Sequence, residues 1–399
     1  MQQKPFSLLW IAVLAVLTAL GPFSIDMYLS ALPTMAKDLS VSTAQIANSL
    51  PAYFIGLALG QLVYGPVSDH FGRRKPLFFG LTLYVLASAV CVFAMHLEVL
   101  LIARIAQALG GCVGVVVARS AIRDRLNGTD AAHAFSLLMI VQGVAPIVAP
   151  LIGSLMLWAF NWRSIFVVLL VLGIISMIVS YFRFPETLPP ERRQKHTVAS
   201  ALKSYIYLCQ DRSFIVPALA SGILMGMLFT YINSASEILI DHLGVSSSVF
   251  ALLFGVNACG IIAVSNLNRF LIKRYDSLEL LKLGSSIQFL GAIVLSAFVF
   301  SQHIALWSVM LGLFMIVACV GFIGPNATVL ALSKQGQRAG QASALLGALQ
   351  FAFGLVSGAI LYLLPLKLEV SVSIVMILYS VIGGILVRQI QPIKSHHIA

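Results

Sequence analysis

Charged side chains are scarce in this sequence of 399 residues. Asp, Glu, Lys and Arg make up only 10% of the residues, whereas hydrophobic residues make up 59%. Soluble domains carry roughly 25% charged residues. Apolar runs of about 20 residues recur along the whole chain, and a helix of that length crosses a lipid bilayer. The composition therefore excludes an ordinary soluble domain and predicts an integral membrane protein.

Cysteine is also sparse, and the chain lacks the usual sequence signs of an enzyme. Its five cysteines include no CxxC pair, so we expect free thiols, with neither a disulfide framework nor a metal site. Walker A, HExxH and GxSxG sequences are absent. His96, His242 and His303 fall near predicted loops, and His396 and His397 end the chain. We therefore predict neither an enzyme nor a bound cofactor.

Basic residues outnumber acidic ones, which gives a formal net charge of +11. They fall in short loops between apolar runs, a pattern that indicates membrane topology and argues against a nucleic-acid partner. With both termini in the cytoplasm, 21 of the 25 basic residues face the cytoplasm, three face the other side and one lies within a helix. The cytoplasmic set is Lys4, Arg73, Arg74, Lys75, Arg119, Arg123, Arg125, Arg183, Arg192, Arg193, Lys195, Lys203, Arg212, Arg269, Lys273, Arg274, Lys282, Lys334, Arg338, Arg388 and Lys394; the outer set is Lys37, Arg163 and Lys367; the residue within a helix is Arg104.

Hydrophobicity predicts twelve transmembrane helices. They cover residues 6–29, 45–65, 77–95, 98–118, 133–157, 164–184, 213–234, 247–267, 281–300, 304–331, 339–362 and 370–390. The longest polar segment lies just before mid-chain and is too short for a domain. We therefore predict an all-α membrane fold: residues 1–185 form a six-helix bundle, residues 186–212 a cytoplasmic linker, and residues 213–399 a second six-helix bundle with a short cytoplasmic tail.

An internal repeat supports this division into halves. Small residues in the second predicted helix recur in the eighth at a constant offset of 199 positions, and three residues downstream of the second helix have counterparts after the eighth at the same offset. The matched residues are Ala52, Gly56, Gly60, Asp69, His70 and Phe71 in the first half, and Ala251, Gly255, Cys259, Asn268, Arg269 and Phe270 in the second. Small residues at this spacing let helix backbones approach closely in lipid. The equal orientation of the halves is typical of a parallel repeat.

Two charged residues fall inside predicted helices of the N-terminal half. Asp26 lies seven residues before Pro33, the predicted outer end of the first helix, at a depth of ~10 Å. Arg104 lies six residues after Glu98, near the outer start of the fourth helix, at a depth of ~9 Å. A charge inside the membrane costs roughly 3 kcal/mol to insert and needs a partner. We expect the two to form a pair that is kept or exchanged for a proton or substrate, with Asp26 as the proton-linked acid.

A charged turn separates the second and third predicted helices. It reads GPVSDHFGRRKP and begins at Gly65. Gly65 and Gly72 permit a tight turn, and Asp69 can pair with Arg73 or cap a helix end. Arg73 and Arg74 alone would be explained by topology, but topology does not explain the acid and the two glycines at this spacing. The turn is therefore a candidate latch, made in one conformation and broken in another.

The fifth predicted helix carries a face of glycine and proline. Gly143, Pro146, Pro150 and Gly153 fall within about 80° on a helical wheel. Such a face lacks two backbone donors, so we expect a kinked helix that packs closely on a neighbour. A kinked helix without a further role is the alternative interpretation.

These motifs resemble those of the major facilitator superfamily. The charged turn is similar to the signature G-x-x-x-D-x-x-G-R-[RK]. RIAQALGG, which begins at Arg104, resembles the family's fourth-helix motif R-x-x-Q-G-x-G, with Ala108 in place of a glycine. GVAPIVAPLIG, which begins at Gly143, resembles the motif typical of drug–proton antiporters, g-x-x-x-G-P-x-x-G-G, with Ala149 and Pro150 in place of Gly-Pro.

Three more stretches closely resemble the Bcr/CflA drug-resistance transporters of that superfamily. They are SIDMYLSALP from Ser24, ALGQLVYGP from Ala58 and PETLPPERR from Pro185, and FIGPNA from Phe322 adds a weaker match in the second half. The resemblance implies a twelve-helix drug:proton antiporter in the bacterial inner membrane. Such a protein exports small drug-like molecules of the bicyclomycin type in exchange for protons, uses the proton gradient without a cofactor, and is expected to act as a monomer.

Uncharged polar residues inside the predicted helices are candidates either for a substrate cavity or for helix–helix hydrogen bonds. They are Gln107, Gln142, Asn233, Asn257, Asn326 and Gln350. Two other functions stay open at this point. A proton-coupled importer of a small metabolite could share the fold, although the proline face of the fifth helix argues against it. A membrane sensor that transports nothing is the second alternative, but it would not need Asp26 and Arg104 at matched depth.

Overall fold

The computed structural model describes residues 8–126, 128–193, 198–301 and 305–391, and every regular element in these ranges is a helix. The α-helices are α1 (Leu8–Asp26), α2 (Leu32–Asp38), α3 (Thr43–Ala47), α4 (Ser49–Phe71), α5 (Arg74–Phe93), α6 (Leu97–Arg125), α7 (Gly128–Ala159), α8 (Trp162–Arg183), α9 (Val198–Gln210), α10 (Arg212–Ser236), α11 (Ser247–Leu271), α12 (Ser277–Phe300), α13 (Leu306–Ala318), α14 (Val320–Leu332), α15 (Ala339–Leu363) and α16 (Leu368–Gln389). Short 3₁₀ turns cover Leu29–Ala31, Pro190–Arg192 and Gly336–Arg338, and a π-helix covers Glu237–His242.

The described residues contain twelve helical spans that are long and apolar enough to cross a membrane. This confirms the predicted number of spans and the all-α fold. The largest differences from the predicted bounds are at the first and seventh spans, which continue to Asp38 and His242. Several predicted positions lie outside the described residues, namely Lys4, Lys195, Lys394, His303, His396 and His397, together with the predicted helix ends at residues 6 and 304.

The first span is not one continuous helix. α1 ends at Asp26, a 3₁₀ turn follows at Leu29–Ala31, and α2 continues the span to Asp38. Pro33 does not end the span as expected. It lies in the first turn of α2, where backbone N–H groups have no hydrogen-bond partner within the helix, so the N–H that proline lacks is not needed there. Asp26 lies twelve positions before Asp38, where the span ends, or ~18 Å if helical, so the acid lies farther from that end of the span than the sequence predicts.

The helices form two compact units. One unit comprises residues 1–198 and 246–255, and the other comprises residues 199–245 and 256–399. Within the first unit, the predicted close approach of helix backbones occurs at Gly56, where an added Cβ would collide with the carbonyl of Ile105 on α6. In the second unit, Cys259, the repeat equivalent of Gly60, is exposed, so the predicted close approach does not extend to this position.

The segment predicted as a linker contains a helix of its own. α9 ends at Gln210, and α10 begins at Arg212, so a single residue separates the two helices. That residue, Asp211, has an extended backbone, and its carboxylate caps α10 by accepting a hydrogen bond from the backbone N–H of Ser213 at 2.9 Å.

Candidate functional site

Asp26 occupies the last residue of α1, at the break in the first span. Its side chain is 4% exposed. Among the described residues it has no hydrogen-bond or ion-pair partner. A carboxylate is also disfavoured at a helix C-terminus, where the helix dipole is negative. A buried acid in these surroundings can exist as a neutral, protonated group or as a charged group that needs compensation, and that choice is the property of a proton-binding site.

Arg104, on α6, contacts the backbone at the same break. Its fully buried guanidinium donates hydrogen bonds to the backbone carbonyl of Ser24 at 2.8 Å and to the side-chain oxygen of Gln107 at 2.6 Å. The ring centroids of Tyr28 and Tyr53 lie 4.3 and 4.2 Å from its central carbon, within cation–π range. Because Ser24 and Tyr28 lie on either side of Asp26 in the chain, Arg104 fixes the backbone on both sides of the acid.

The direct ion pair expected between Asp26 and Arg104 is not formed within the described residues. The physical reason lies in the break itself. A helix that ends inside the membrane leaves backbone carbonyls without intrahelical partners, and water is not available to satisfy them. Arg104 satisfies one of these carbonyls, that of Ser24, and its charge is spread over aromatic faces rather than paired with a carboxylate. The two residues are thus brought together through the backbone of α1.

A buried hydrogen-bond network supports this arrangement. The hydroxyl groups of Ser24 and Tyr84 are 2.8 Å apart, which joins α1 to α5. The amide nitrogen of Gln107 donates to the hydroxyl of Ser88 at 2.8 Å, which joins α6 to α5. Gln107, predicted either to line a cavity or to connect helices, therefore connects helices in this structure and orients the oxygen that binds Arg104.

The glycine–proline face of α7 meets the other side of the break. An added Cβ at Gly153 would collide with the backbone carbonyl of Met27, the residue that follows Asp26. Gly153 and Pro150 are buried, whereas Gly143 and Pro146 are half-buried. Pro146 and Pro150 provide no backbone N–H, which makes α7 deformable at this level. The face predicted from sequence thus packs, at Gly153, against the backbone next to Asp26, where a backbone movement at Asp26 would displace α7.

The segment predicted as a charged turn begins inside α4, which continues to Phe71, and ends in the first turn of α5; its side chains form a compact cluster. Arg73 pairs with Asp69, as expected, and also with Asp124 at the end of α6, to which its guanidinium donates two hydrogen bonds of 2.8 and 3.2 Å. The hydroxyl of Ser68 accepts a further hydrogen bond from Arg73 at 2.8 Å. Thr187 donates to Asp124 at 2.9 Å. These contacts tie the second, third and fourth spans to the chain that follows the sixth.

Glu186 completes this cluster. Its carboxylate accepts hydrogen bonds from the backbone N–H groups of Arg73 at 2.8 Å and Arg74 at 3.2 Å. Gly72 has a positive φ of 86°, and an added Cβ there would lie 2.6 Å from a Glu186 carboxylate oxygen. Partial burial opposes the charged form, but the backbone donors of Arg73, Leu188 and Arg74 outweigh it, so the pKa of Glu186 is lowered.

Asp124, Thr187 and Glu186 were not among the predicted site residues, although the stretch from Pro185 was part of the family resemblance. The only signal in the sequence was the acid and the threonine of PETL. Their contacts could not be predicted, because Glu186 is 113 residues from Arg73 and Thr187 is 63 residues from Asp124. Gly65, in contrast, has no neighbour within 4 Å of an added Cβ, so the close packing of the turn depends on Gly72.

The second unit contains most of the remaining polar candidates, and three of them join helices. Asn233 donates to the backbone carbonyl of Gly354 and to the hydroxyl of Ser357, both at 3.2 Å. Gln350 donates to the hydroxyl of Ser221 at 3.0 Å. Asn326 donates to the side-chain oxygen of Asn268 at 2.6 Å.

Two polar candidates differ from these three. Asn257 is 1% exposed, and neither atom of its side-chain amide has a hydrogen-bond partner among the described residues. Gln142 of α7 is half-buried, and its side chain forms no hydrogen bond within the described residues. A buried amide with unsatisfied donors and acceptors can bind a polar group of a substrate.

Glu237 was assigned no role from sequence. It is half-buried and stands where α10 gives way to the π-helix Glu237–His242. A π-helical turn inside a span often marks a functional position. The signal available in the sequence was an acid within an apolar run.

No group of three or more His, Cys, Asp or Glu side chains suited to hold a metal ion occurs within the part of the chain that the structure describes.

Comparison with known proteins gives a consistent result. The sequence matches the profile of the Major Facilitator Superfamily over residues 14–359. The MFS-type transporter YdgK of Bacillus subtilis, itself uncharacterised, is 37% identical over 347 residues, which cover 86% of this chain and 85% of that protein. A bicyclomycin resistance protein homolog of Haemophilus influenzae is 28% identical over 362 residues, 90% of each chain. Multidrug resistance protein MdtL of Shigella dysenteriae is 29% identical over 336 residues, 84% of this chain and 83% of that protein.

Solved structures show the same architecture. A D-xylose–proton symporter superposes with a TM-score of 0.74 at 16% sequence identity, covering 96% of this chain and 97% of its own. A bacterial homolog of the human lysosomal transporter Spinster superposes with a TM-score of 0.72 at 17% identity, covering 97% of both chains. At such identities the likeness shows the fold alone.

Proposed function

The chain belongs to the major facilitator superfamily, and from this membership we propose that it exports small drug-like molecules from a bacterial cell in exchange for protons. The observation that carries the proposal is Asp26, a buried acid at a break in a transmembrane span that has no ion-pair partner in the part of the chain that the structure describes. The names of two relatives, a bicyclomycin resistance homolog and a multidrug resistance protein, support drugs as the substrate class.

In the proposed cycle, Asp26 binds a proton from outside and releases it inside. Loss of the proton leaves a buried charge beside the C-terminus of α1, and this changes the energy of the break. Arg104 keeps the backbone around the break in place through Ser24. Movement at the break reaches α7 because Gly153 lies against the carbonyl of Met27. Asn257, whose buried amide has no hydrogen-bond partner among the described residues, is the polar residue we propose for substrate contact.

The cluster around Arg73 is proposed to act as the latch of this cycle. Its ion pairs connect the ends of several spans in one conformation. Breaking them in another conformation would allow those ends to move. We further propose an inner-membrane location with both termini in the cytoplasm, since that orientation places 21 of 25 basic residues on the cytoplasmic side. The protein is proposed to work as a monomer without a cofactor.

The proton gradient supplies enough energy for this role. At ~100 mV, the electrical contribution for one proton is about 2.3 kcal/mol. One pH unit adds about 1.4 kcal/mol. If one proton enters for each neutral molecule that leaves, the sum of about 3.7 kcal/mol sustains an outward concentration ratio of a few hundredfold.

Transport in inverted membrane vesicles tests the proposal. A panel of drug-like compounds is offered with an artificially imposed proton gradient, and we expect uptake of at least one compound that collapses with a protonophore and is indifferent to nucleotide. Uptake driven by nucleotide or by sodium alone would contradict the antiport. Movement of substrate in the same direction as the protons would instead support a proton-coupled importer.

A further inference from the structure

α9 presents an exposed apolar face that no transport step uses. Leu202, Ile206 and Cys209, here called the apolar stripe, fall within about 60° on a helical wheel. The exposed fractions of Leu202 and Ile206 are 60% and 52%. Cys209 is also exposed. The stripe is therefore an apolar surface that runs from Leu202 to Cys209, about 10 Å along α9.

The opposite side of α9 is attached to its own unit. Leu208 is fully buried. The guanidinium of Arg338, in the loop between α14 and α15, lies 3.9 Å from the ring centroid of Tyr207. The carboxylate of Asp211, just after α9, accepts a hydrogen bond from Gln335 of the same loop at 3.0 Å. Because these contacts fix the rotation of the helix, the outward direction of the stripe is a fixed property of this unit.

The position of α9 places the stripe at the membrane surface. Only Asp211 separates α9 from α10, and α10 is a spanning helix that begins at Arg212. α9 therefore lies level with one end of that span, where the lipid headgroups meet the acyl chains. A helix with one apolar face and one protein-bound face at this level is expected to rest in the bilayer interface.

The charges around the stripe match a negatively charged surface. Four exposed basic residues lie on α9, at the start of α10 or on the loop that holds α9: Lys203, Arg212, Lys334 and Arg338. The one acid of residues 198–212 is Asp211, and its carboxylate is already engaged by Gln335 and Ser213. Clusters of basic residues next to a spanning helix attract anionic lipids.

We propose that α9 is an interfacial helix that binds anionic phospholipid. The apolar stripe inserts among the upper acyl-chain carbons, and Lys203, Arg212 and Lys334 contact the headgroup phosphates. The proposal concerns the membrane surface alone and is independent of what the protein transports. A second copy of the chain or another part of the same chain could also cover an apolar stripe, and the experiment below distinguishes these occupants.

A fluorescent probe on Cys209 tests the insertion. In the full-length Cys259→Ser variant, Cys209 is labelled with an environment-sensitive dye, and the protein is reconstituted into vesicles of phosphatidylcholine with phosphatidylglycerol. The control carries the dye at an exposed loop position, as Lys273→Cys in a Cys209→Ser, Cys259→Ser background. We expect a lipid with a nitroxide near the headgroup to quench the Cys209 dye, and aqueous acrylamide to quench it several-fold less than the control.

Two outcomes would overturn insertion. Equal quenching of both dyes by acrylamide would place the stripe in water. Protection from acrylamide without quenching by the nitroxide lipid would show that protein covers the stripe; if that protection fades as the protein is diluted in lipid, the cover is a second copy, and if it persists, it is the chain itself.

Lipid preference tests the basic residues. Nitroxide-labelled phosphatidylglycerol should quench the Cys209 dye more strongly than nitroxide-labelled phosphatidylcholine at equal content. Lys203→Gln and Arg212→Gln should each weaken this preference by up to roughly fivefold, and salt should weaken it further. Both side chains are exposed, and equal thermal unfolding temperatures would confirm that the variants remain folded. The same quenching by both lipids would overturn the assignment of anionic lipid as the occupant.

Discussion

Arg104 donates a 2.8 Å hydrogen bond to the backbone carbonyl of Ser24, two residues before the acid with which a sequence argument would pair it. The arginine thus acts on the shape of the first span, and Asp26 is left without a charged partner within the described residues. This relationship separates two tasks. One residue holds the break open, and the other can gain or lose a proton without breaking an ion pair.

Removal of the Arg104 guanidinium should destabilise the protein. Arg104→Gln leaves the carbonyl of Ser24 and the side-chain oxygen of Gln107 without their donor, and each unsatisfied buried group costs about 1–3 kcal/mol. The control is Arg163→Gln, because Arg163 forms an exposed ion pair with Asp38 that is worth at most about 1 kcal/mol. Thermal unfolding in detergent compares the two. If adding Asp26→Asn restored the stability of Arg104→Gln, a direct pair would have to be reinstated.

Gly153→Ala should impair transport more than its small size suggests. The added methyl group collides with the carbonyl of Met27, so α7 and the break after Asp26 must separate. The matched control is Gly21→Ala on α1, where no atom lies within 4 Å of the new Cβ. We expect Gly21→Ala to keep native transport and Gly153→Ala to lose most of it at equal expression. Equal activity of the two variants would remove α7 from the account.

Asp69→Ala should slow the maximal transport rate more than it weakens substrate affinity. Asp69 pairs with Arg73 in the last turn of α4, too far from a site at mid-membrane to touch substrate. Asp124→Asn should act in the same way, because Asp124 binds the same guanidinium. Lys75→Gln, an exposed base in the same turn, serves as the control. A rise in the apparent KM at an unchanged maximal rate would exclude the latch.

Glu186 should make the stability of the protein depend on pH. Its pKa is lowered from the ordinary value of 4.5, so its charged form stabilises the fold above that pH, and the contribution disappears as the pH falls through the folded-state value. Glu186→Gln should cost about 1–2 kcal/mol at neutral pH, and the difference from the native protein should vanish in acid. This is tested by unfolding temperatures measured from neutral to acidic pH, with the exposed Glu191→Gln variant as the control. A pH-independent difference would assign the effect to packing.

The two units join corresponding spans through different kinds of contact. In the first unit, Asp69 and Asp124 are joined through Arg73. The repeat offset of 199 relates Asp69 to Asn268, and Asn268 accepts a hydrogen bond from Asn326, 202 positions after Asp124. The second and fourth spans are thus joined by charges in the first unit, and the eighth and tenth spans by neutral amides in the second, so salt can weaken the first junction.

The number and placement of the spans could be predicted because membrane insertion depends on composition along short stretches of chain. The break after Asp26 could not, because the residues from Ser24 to Leu32 include neither glycine nor proline to indicate the end of a helix. Nor could the partners of Arg104, since backbone carbonyls and ring faces leave no complementary charge in the sequence. Glu186 and Arg73 are 113 residues apart, and only the fold brings them together.

Asp26 carries the central claim, and its removal should separate proton exchange from folding. Asp26→Asn keeps the size of the side chain and removes a charge whose burial is costly, so the variant should remain inserted and folded. Asp38→Asn is the control, because Asp38 is the last residue of the same span and is paired with Arg163. Equal unfolding temperatures of the three proteins would establish that any loss is functional.

The most direct measurement is proton release from purified protein in weakly buffered detergent solution when a transported compound binds. We expect the native protein and Asp38→Asn to release protons on binding, whereas Asp26→Asn binds the compound and releases none. Undiminished proton release by Asp26→Asn, with normal drug resistance in cells that carry it, would contradict the assignment of Asp26 as the proton-coupling residue.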